Sequence, residues 1–270
     1  MTDGSSSLGQ RQAPEFDSSV PQTARIWNYW LGGKDYFPVD QAVGDQILEA
    51  FPAIVKSARA SRAFLARAVT YLAGEAGVRQ FLDIGTGLPT ANNTHQVAQA
   101  VAPECRIVYV DNDPLVLTHA RALLTSSPEG KTDYIDADLR DPDRILEEAV
   151  RTLDFSQPIA IMLMGILGHI EDDDEARSLV NRLMSGVPSG SYLTMNDSTD
   201  TSPAVVEAAR IWNQSAKPQY HLRSPERIAR FFDGLELAEP GVVSPLEWRP
   251  EPGSGPPAEI ASLCGIGRKP

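Results

Sequence analysis

Cysteine is scarce in this chain. Cys105 and Cys264 are its two cysteines, too few for a disulfide scaffold, and no Cys-x-x-Cys or Cys/His cluster suggests zinc. Long apolar runs are missing too. The longest, Ile159 to Leu167, is interrupted by Gly165 and is far shorter than the roughly 20 residues of a membrane-spanning helix. The opening stretch MTDGSSSLGQRQAPEFDSS has no basic segment followed by an apolar one, so it is not a secretory signal. Basic residues are in deficit: 24 Lys and Arg against 36 Asp and Glu give a formal net charge of -12. Proteins that bind a phosphate backbone usually carry a basic patch, so nucleic acid is disfavoured as a partner. The expectation is a cytoplasmic, reduced protein with no membrane attachment.

What is present is an ordinary globular composition, 42% hydrophobic and 22% charged over 270 residues, enough to bury a core without staples. Residues 1–20 are polar and rich in Ser, Gly and Gln and read as a disordered tail. Residues 21–60 hold an aromatic helix signal broken by Gly32-Gly33 and read as a helical lid or extension. From 61 to 270 strand and helix signals alternate, the pattern of an α/β domain with a mostly parallel sheet. In SRAFLARAVTYLAGEAG one helical face carries Phe64, Leu65, Ala68, Tyr71 and Leu72. Strands are expected in RQFLDI, RIVYV, TDYIDA, PIAIMLMGIL, SYLTMN, LELAEPGVV and AEIASLCGIG. The fourth is apolar throughout, so it should be central and covered on both faces. Asp113-Pro114, Asp141-Pro142, Asp172 with Glu175, Ser202-Pro203 and Ser224-Pro225 read as helix starts. No internal repeat is visible.

The stretch FLDIGTGLPT ends a buried strand in an acid and follows it with two glycines. In doubly wound sheets ligands bind beyond the carboxyl ends of the strands. There Gly85 and Gly87, flanking Thr86, let backbone approach a ligand. The third glycine of a dinucleotide fingerprint is missing, with Leu88-Pro89-Thr90 in its place, and no P-loop lysine follows. A nicotinamide-dependent oxidoreductase is therefore disfavoured. The second strand ends at Asp111, where an acid takes ribose hydroxyls. Asp113-Pro114 already fills the helix cap, which leaves Asp111 free for a ligand. The third strand ends at Asp138, which can accept from an adenine amino group while the Leu139 amide donates to the ring. Acid, Gly-x-Gly, acid, acid at successive strand ends, without a pyrophosphate loop, suggests S-adenosylmethionine, with Asp83 toward the methionyl ammonium.

The segments ARIWNYWLGGKDYFPVD, SRAFLARAV, FLDIGTGLPTANNTHQVAQ, VYVDNDPLVLTHARALL and DADLRDP resemble the bacterial S-adenosyl methyltransferase family, long catalogued as a domain of unknown function, within the class I S-adenosylmethionine-dependent methyltransferases. The resemblance runs from Ala24 to the closing GIGRKP. It implies a Rossmann-like seven-stranded sheet with helices on both faces, its last strand antiparallel, and an N-terminal helical lid over the cofactor. It also implies that Cys105 and Cys264 lie on separated strands and form no disulfide. By position, Asp83, Gly85 and Gly87 match the cofactor loop, Asp111 and Asn112 the ribose side, and Asp138 and Leu139 the adenine site. The family comes without an established acceptor.

Other residues stand out. Tyr29, Trp30, Gly32, Gly33, Lys34 and Asp35 form a string that would suit a lid closing over the cofactor, or simple aromatic docking around a Gly-Gly turn. Arg62 can pair with the methionyl carboxylate or be a solvated helix arginine. Asn93 and His95 follow the glycine loop closely and either can hydrogen-bond within the site, capping the next helix being the plainer role for Asn93. After the fourth strand, Met164-Gly165-Ile166-Leu167 stands where base-amino methyltransferases carry an Asn/Asp-Pro-Pro-aromatic tetrad, which disfavours that class. His169 is the nearby group suited to general-base work, or a structural histidine of that loop, and Asn196 and Asp197 end the fifth strand within reach of an acceptor. The expected activity is methyl transfer to an unidentified, small-molecule acceptor. The alternative is a catalytically silent module that binds S-adenosylmethionine or S-adenosylhomocysteine for regulation.

Overall fold

The computed structural model describes residues 17–123, 125–251 and 260–270. Most of the expected tail and the start of the last expected strand lie outside these residues. Seven strands form one sheet: β1 (Gln80–Ile84), β2 (Arg106–Asp111), β3 (Lys131–Asp136), β4 (Ala160–Met164), β5 (Tyr192–Ser198), β6 (Glu236–Leu237) and β7 (Ser262–Arg268). Their order is β3-β2-β1-β4-β5-β7-β6. β1 to β5 run parallel, and β7 lies antiparallel between β5 and β6. The apolar β4 is central, between β1 and β5.

The sixth strand is much shorter than LELAEPGVV suggests. Pro240 cannot donate to a ladder, and the chain turns there, with the Gly241 amide donating to the Ala238 carbonyl. Pairing resumes as a single bridge between Val243 and Cys264. Both cysteines are buried and free. Among the described residues no helix is long and apolar enough to cross a membrane.

The pleat sorts side chains into two cores. Leu82, Ile84, Val108, Val110, Ile161 and Leu163 face α6 (Pro142–Ala149) and α7 (Asp173–Ser185). Phe81, Ile107, Tyr109, Ala160 and Met162 face α3 (Ile54–Gly74) and α4 (Thr94–Val101), where Phe64, Leu65, Ala68 and Leu72 pack. The period of 2 along each strand sets where the strand-end acids point. Asp83 follows Phe81, and Asp111 follows Tyr109, on the α3/α4 face.

Helix starts follow the local chemistry. Asp113, Asp141, Asp172 and Ser224 each accept from an amide in the first turn of the helix that follows, at 2.8, 3.2, 2.8 and 3.4 Å. These helices are α5 (Pro114–Leu123), α6, α7 and α9 (Pro225–Ala229). Ser202 precedes α8 (Pro203–Ser215) without a side-chain cap bond.

The N-terminal segment forms α1 (Thr23–Trp30) and α2 (Pro38–Ala50). They build a third core with α8, in which Ile26, Trp30, Val43, Ile47, Val205 and Trp212 are buried. Helix α3 begins at Ile54 and passes straight through residues 60 and 61, so the extension and the main domain share a helix. A buried ion pair ties α1 to α2: Arg25 Nε donates to Asp40 Oδ2 at 2.8 Å, both side chains almost fully enclosed. Asp40 also accepts from the amides of Gln22 and Phe37, so one carboxylate fixes the entry to α1, the start of α2 and the Arg25 charge. Truncating one partner of a buried pair strands the other. Asp40→Ala is expected to cost about 3–5 kcal/mol of stability, read by urea unfolding; a loss below about 1 kcal/mol would contradict this account of the extension.

Candidate functional site

Successive strands are added outward from β1 toward β3 on one side and from β4 toward β5 on the other. The loops leaving β1 and β4 therefore diverge, and a crevice opens between them. Gly85, Thr86, Gly87, Asp83, Asp111, Asn112, Gly165, Ile166 and His169 line it, with Arg62 from α3.

Gly85 and Gly87 both have positive φ, +74° and +64°, which L side chains rarely adopt. The Gly85 amide donates to the Val110 carbonyl at 2.8 Å. A Cβ at Gly85 would lie 2.7 Å from Ile166, whereas one at Gly87 would meet open space. Close approach to a neighbour explains the first glycine and backbone conformation the second.

Asp111 is not left free, as the filled cap at Asp113-Pro114 would suggest. Its Oδ2 accepts from the Gly87 amide and its Oδ1 from the Asp113 amide, both at 3.0 Å. It braces the glycine loop, and each oxygen retains further acceptor capacity toward the crevice. Burial pushes its pKa up to about 6, against the pull of those amides. Asp83 accepts from Thr94 Oγ1 at 2.6 Å. Burial also raises its pKa to about 6, opposed by Thr94 and by the Arg62 charge. Arg62 is half-buried rather than solvated. Its Nη2 donates to the carbonyls of Ala91 and Asn92, and its Nε is buried with no hydrogen-bond partner among the described residues.

Asn112 donates to Asp138 Oδ2 at 2.8 Å, and the Arg140 amide donates to Asp138 Oδ1 at 2.8 Å. The Asp138 carboxylate is thus held across the ends of β2 and β3, and it lines the wing of the crevice that also holds Leu139. Asn93 accepts from the Thr90 amide, and its own amide donates to Gln96. His95 is bound to the Tyr109 hydroxyl and does not line the crevice.

Three expected lid residues are elsewhere. The Tyr29 hydroxyl donates to Asp45 and its ring packs on Tyr36, so it serves the α1/α2 junction. A Cβ at Gly33 would fall 2.1 Å from Asn28 Oδ1, and Gly32 has φ +81°. The glycine pair ends α1, Gly33 packs on Asn28, and neither Gly33 nor the exposed Lys34 lines the crevice. The face of α1 that does cover it presents Gln22, Thr23, Ala24, Trp27, Asn28 and Leu31.

A second cavity opens off the first at Trp27, Ser61, Gly165 and His169. Trp30, Trp212 and Tyr220 line it, with Asn196 and Asp197 at the end of β5. His169 lies at the junction. Its Nδ1 is 2.8 Å from the Gln219 carbonyl. A carbonyl requires a donor, so Nδ1 carries the proton and Nε2 keeps its lone pair. Desolvation lowers the His169 pKa against the pull of that carbonyl, with Arg140 and His221 also lowering it, so the ring is neutral at pH 7.

Trp212 and Tyr220 escaped the sequence reading, yet a signal existed. ARIWN occurs at 24–28 and again at 209–213. In both places the asparagine Oδ1 accepts from an amide seven residues on: Asn28 from Asp35 at 3.0 Å, Asn213 from Tyr220 at 2.7 Å. The recurrence is too short to register as a repeat, but it places Trp27 and Trp212 in one core and on one cavity.

The profile of the S-adenosyl methyltransferase family matches residues 9–270. Among solved structures, a DUF574-family protein from Streptomyces avermitilis MA-4680 is 43% identical with a TM-score of 0.89, covering 94% of this chain and 99% of that one. A candidate methyltransferase from Thermobifida fusca YX is 44% identical with a TM-score of 0.87, covering 94% and 96%. Magnesium protoporphyrin IX methyltransferase from Synechocystis PCC 6803, solved with bound SAH, is 12% identical with a TM-score of 0.54, covering 91% and 93%, a likeness of fold alone. A search of curated proteins gives no match.

The buried Asp83 makes a stability prediction. Its folded pKa, about 6, is raised above the unfolded value of about 3.9. The stability that its neutral form supports is present below about pH 4 and is lost as the pH rises through about 6. Asp83→Asn keeps an acceptor for Thr94 and removes the charge. At about pH 8 it should exceed the wild type by on the order of 2–3 kcal/mol, and near pH 4 the two should converge. Urea unfolding at both pH values checks this; a gap that does not widen with pH contradicts it.

Proposed function

The chain belongs to the S-adenosyl methyltransferase family, and from that premise we propose that it is an S-adenosylmethionine-dependent methyltransferase acting on a small-molecule acceptor. One observation carries the cofactor reading: Asp83 and Arg62, whose Nε has no partner among the described residues, both line the crevice, and the Arg62 charge acts on the Asp83 carboxyl. An amino acid brings an ammonium and a carboxylate, and this pair supplies the opposite charges. A carboxylate on Arg62 would satisfy a buried donor that otherwise costs about 1–3 kcal/mol.

The remaining residues fit the same ligand. Asp111 has acceptor capacity left for ribose hydroxyls. Leu139 and Ile166 are apolar walls for a base, at the wing where the Asp138 carboxylate stands. Residues 22–31 of the extension act as the lid, excluding water from the crevice. The cofactor supplies an already activated methyl group, so the protein needs chiefly to align donor and acceptor. His169, neutral and with Nε2 unprotonated, stands at the junction to take a proton from the acceptor. The second cavity, walled by aromatic rings, suits a small molecule better than a nucleic acid strand.

Calorimetry with S-adenosylmethionine, S-adenosylhomocysteine and NAD tests the reading. Both sulfur ligands should bind in the micromolar range and NAD should not. Asp111→Ala should weaken both by at least about tenfold, or about 1.4 kcal/mol. Unchanged affinity in that variant would contradict the ribose role, and binding without turnover of any acceptor would favour the silent regulatory module.

A further inference from the structure

The second cavity has a distinctive polar end. Asp197 closes β5 and is 3% exposed. Its Oδ1 accepts from the Tyr220 hydroxyl and from the Ser198 amide. Its Oδ2 is buried and makes no hydrogen bond of normal geometry among the described residues, although the Gly168 amide also acts on the carboxylate. Neighbouring Asn196 is settled by contrast, its Oδ1 accepting from Ser61 Oγ at 3.0 Å. A buried acceptor left unpaired costs free energy and asks for an explanation.

The surroundings hold this group in place. Asn213 fixes the Tyr220 backbone from both sides, accepting from its amide at 2.7 Å and donating to its carbonyl at 2.9 Å. The Tyr220 ring packs edge-on against His169, with centroids 5.1 Å apart. Gly168 makes room for that ring, since a Cβ there would lie 2.4 Å from it. Arg223 also attracts Asp197 electrostatically, but its guanidinium is committed to Asp173 and to the carbonyls of Leu167 and Ile170. Around this end the walls are flat rings: Trp27, Trp30 and Trp212, with Trp30 and Trp212 centroids 6.3 Å apart.

We propose that this chamber is the methyl-acceptor site and that it takes a flat, largely apolar molecule anchored by a hydroxyl or amine that donates to Asp197 Oδ2, apart from the atom that receives the methyl group and yields its proton to His169. The inference rests on the methyltransferase reading and names its substrate class. An ionised carboxylate offers acceptors only, so the ligand must bring the donor. The indole walls favour a ring system, which they contact face or edge. The acceptor enters beside the crevice through the shared wall of Trp27, Ser61, Gly165 and His169. Asp197 anchors the acceptor there.

Burial raises the Asp197 pKa to about 6, while Tyr220, Arg223 and the amides of Ser198 and Gly168 pull it down. His169, packed on Tyr220, has its pKa lowered. The anchor is therefore ionised at neutral pH and lost as the pH falls through about 6.

The test is equilibrium dialysis of the full chain with 2-naphthol, 2-naphthylamine and 2-methylnaphthalene, repeated from about pH 5 to about pH 8, a span that brackets the Asp197 transition. The first two differ in the donor and the third has none. At least one donor probe should bind about tenfold more tightly than 2-methylnaphthalene near neutral pH. The better one identifies the anchoring group as a hydroxyl or an amine. That preference should fade at acid pH. Asp197→Asn should abolish the pH dependence. Tyr220→Phe removes a hydrogen bond that holds the carboxylate ionised, so it should move the midpoint to higher pH, and it covers the case in which the first variant fails to fold. Equal binding of all three probes, or a midpoint unmoved in Tyr220→Phe, overturns the proposal. Titration of the wild type with S-adenosylhomocysteine separates two failures. Binding there with no donor preference defeats this inference alone; absence of binding there defeats the cofactor reading beneath it.

Discussion

Ionised carboxylates resist burial, yet this chain buries Asp83 and Asp197 and half-buries Asp111 at the ends of parallel strands. Asp83, Asp111 and Asp197 each have a pKa raised to about 6, with burial the largest cause in every case. A fold selected for stability alone would gain by replacing Asp83 with a neutral residue. The three acids instead mark the two cavities. Asp83 and Asp111 face the crevice beyond β1 and β2, and Asp197 faces the aromatic chamber beyond β5. Their positions follow from strand order, because the switch between β1 and β4 opens the sheet at that edge.

The N-terminal helices give the acids their second wall. Without α1 and α2 the crevice and the chamber would both open to solvent on that side. The Arg25–Asp40 pair and the Gly32-Gly33 turn therefore act on the site at a distance. They set the angle at which Trp27 and Asn28 reach over it. The aromatic residues of α1 divide their work: Trp27 lines both cavities, Trp30 lines the chamber and is buried in the helical core, and Tyr29 locks α1 to α2.

Much of this was legible from residue order. Period-2 strands, Asp-Pro helix starts and an acid before Gly-x-Gly gave the architecture and the crevice, because those signals are local. The roles of the individual acids were less legible. Asp111 is engaged by the amides of Gly87 and Asp113, a bond geometry that spacing does not encode. Tyr29, Gly33 and Lys34 were placed over the ligand because they are unusual, but their neighbours in space are Asp45, Asn28 and solvent. Trp212 and Tyr220 are far from β1 in sequence, and the chamber exists only once α8 packs on α1 and α2. The truncated β6 shows the reverse: its proline was visible, and its effect on the ladder decides the strand's length.

The central claim is that an S-adenosyl ligand occupies the crevice between the β1 and β4 loops, under α1. Amide hydrogen exchange with and without S-adenosylhomocysteine tests it most directly. The account predicts ligand-induced protection in four stretches, 22–31, 85–90, 111–113 and 165–169, and little change at β6 and β7 on the far edge of the sheet. Protection concentrated elsewhere, or none in the glycine loop and α1, would contradict it.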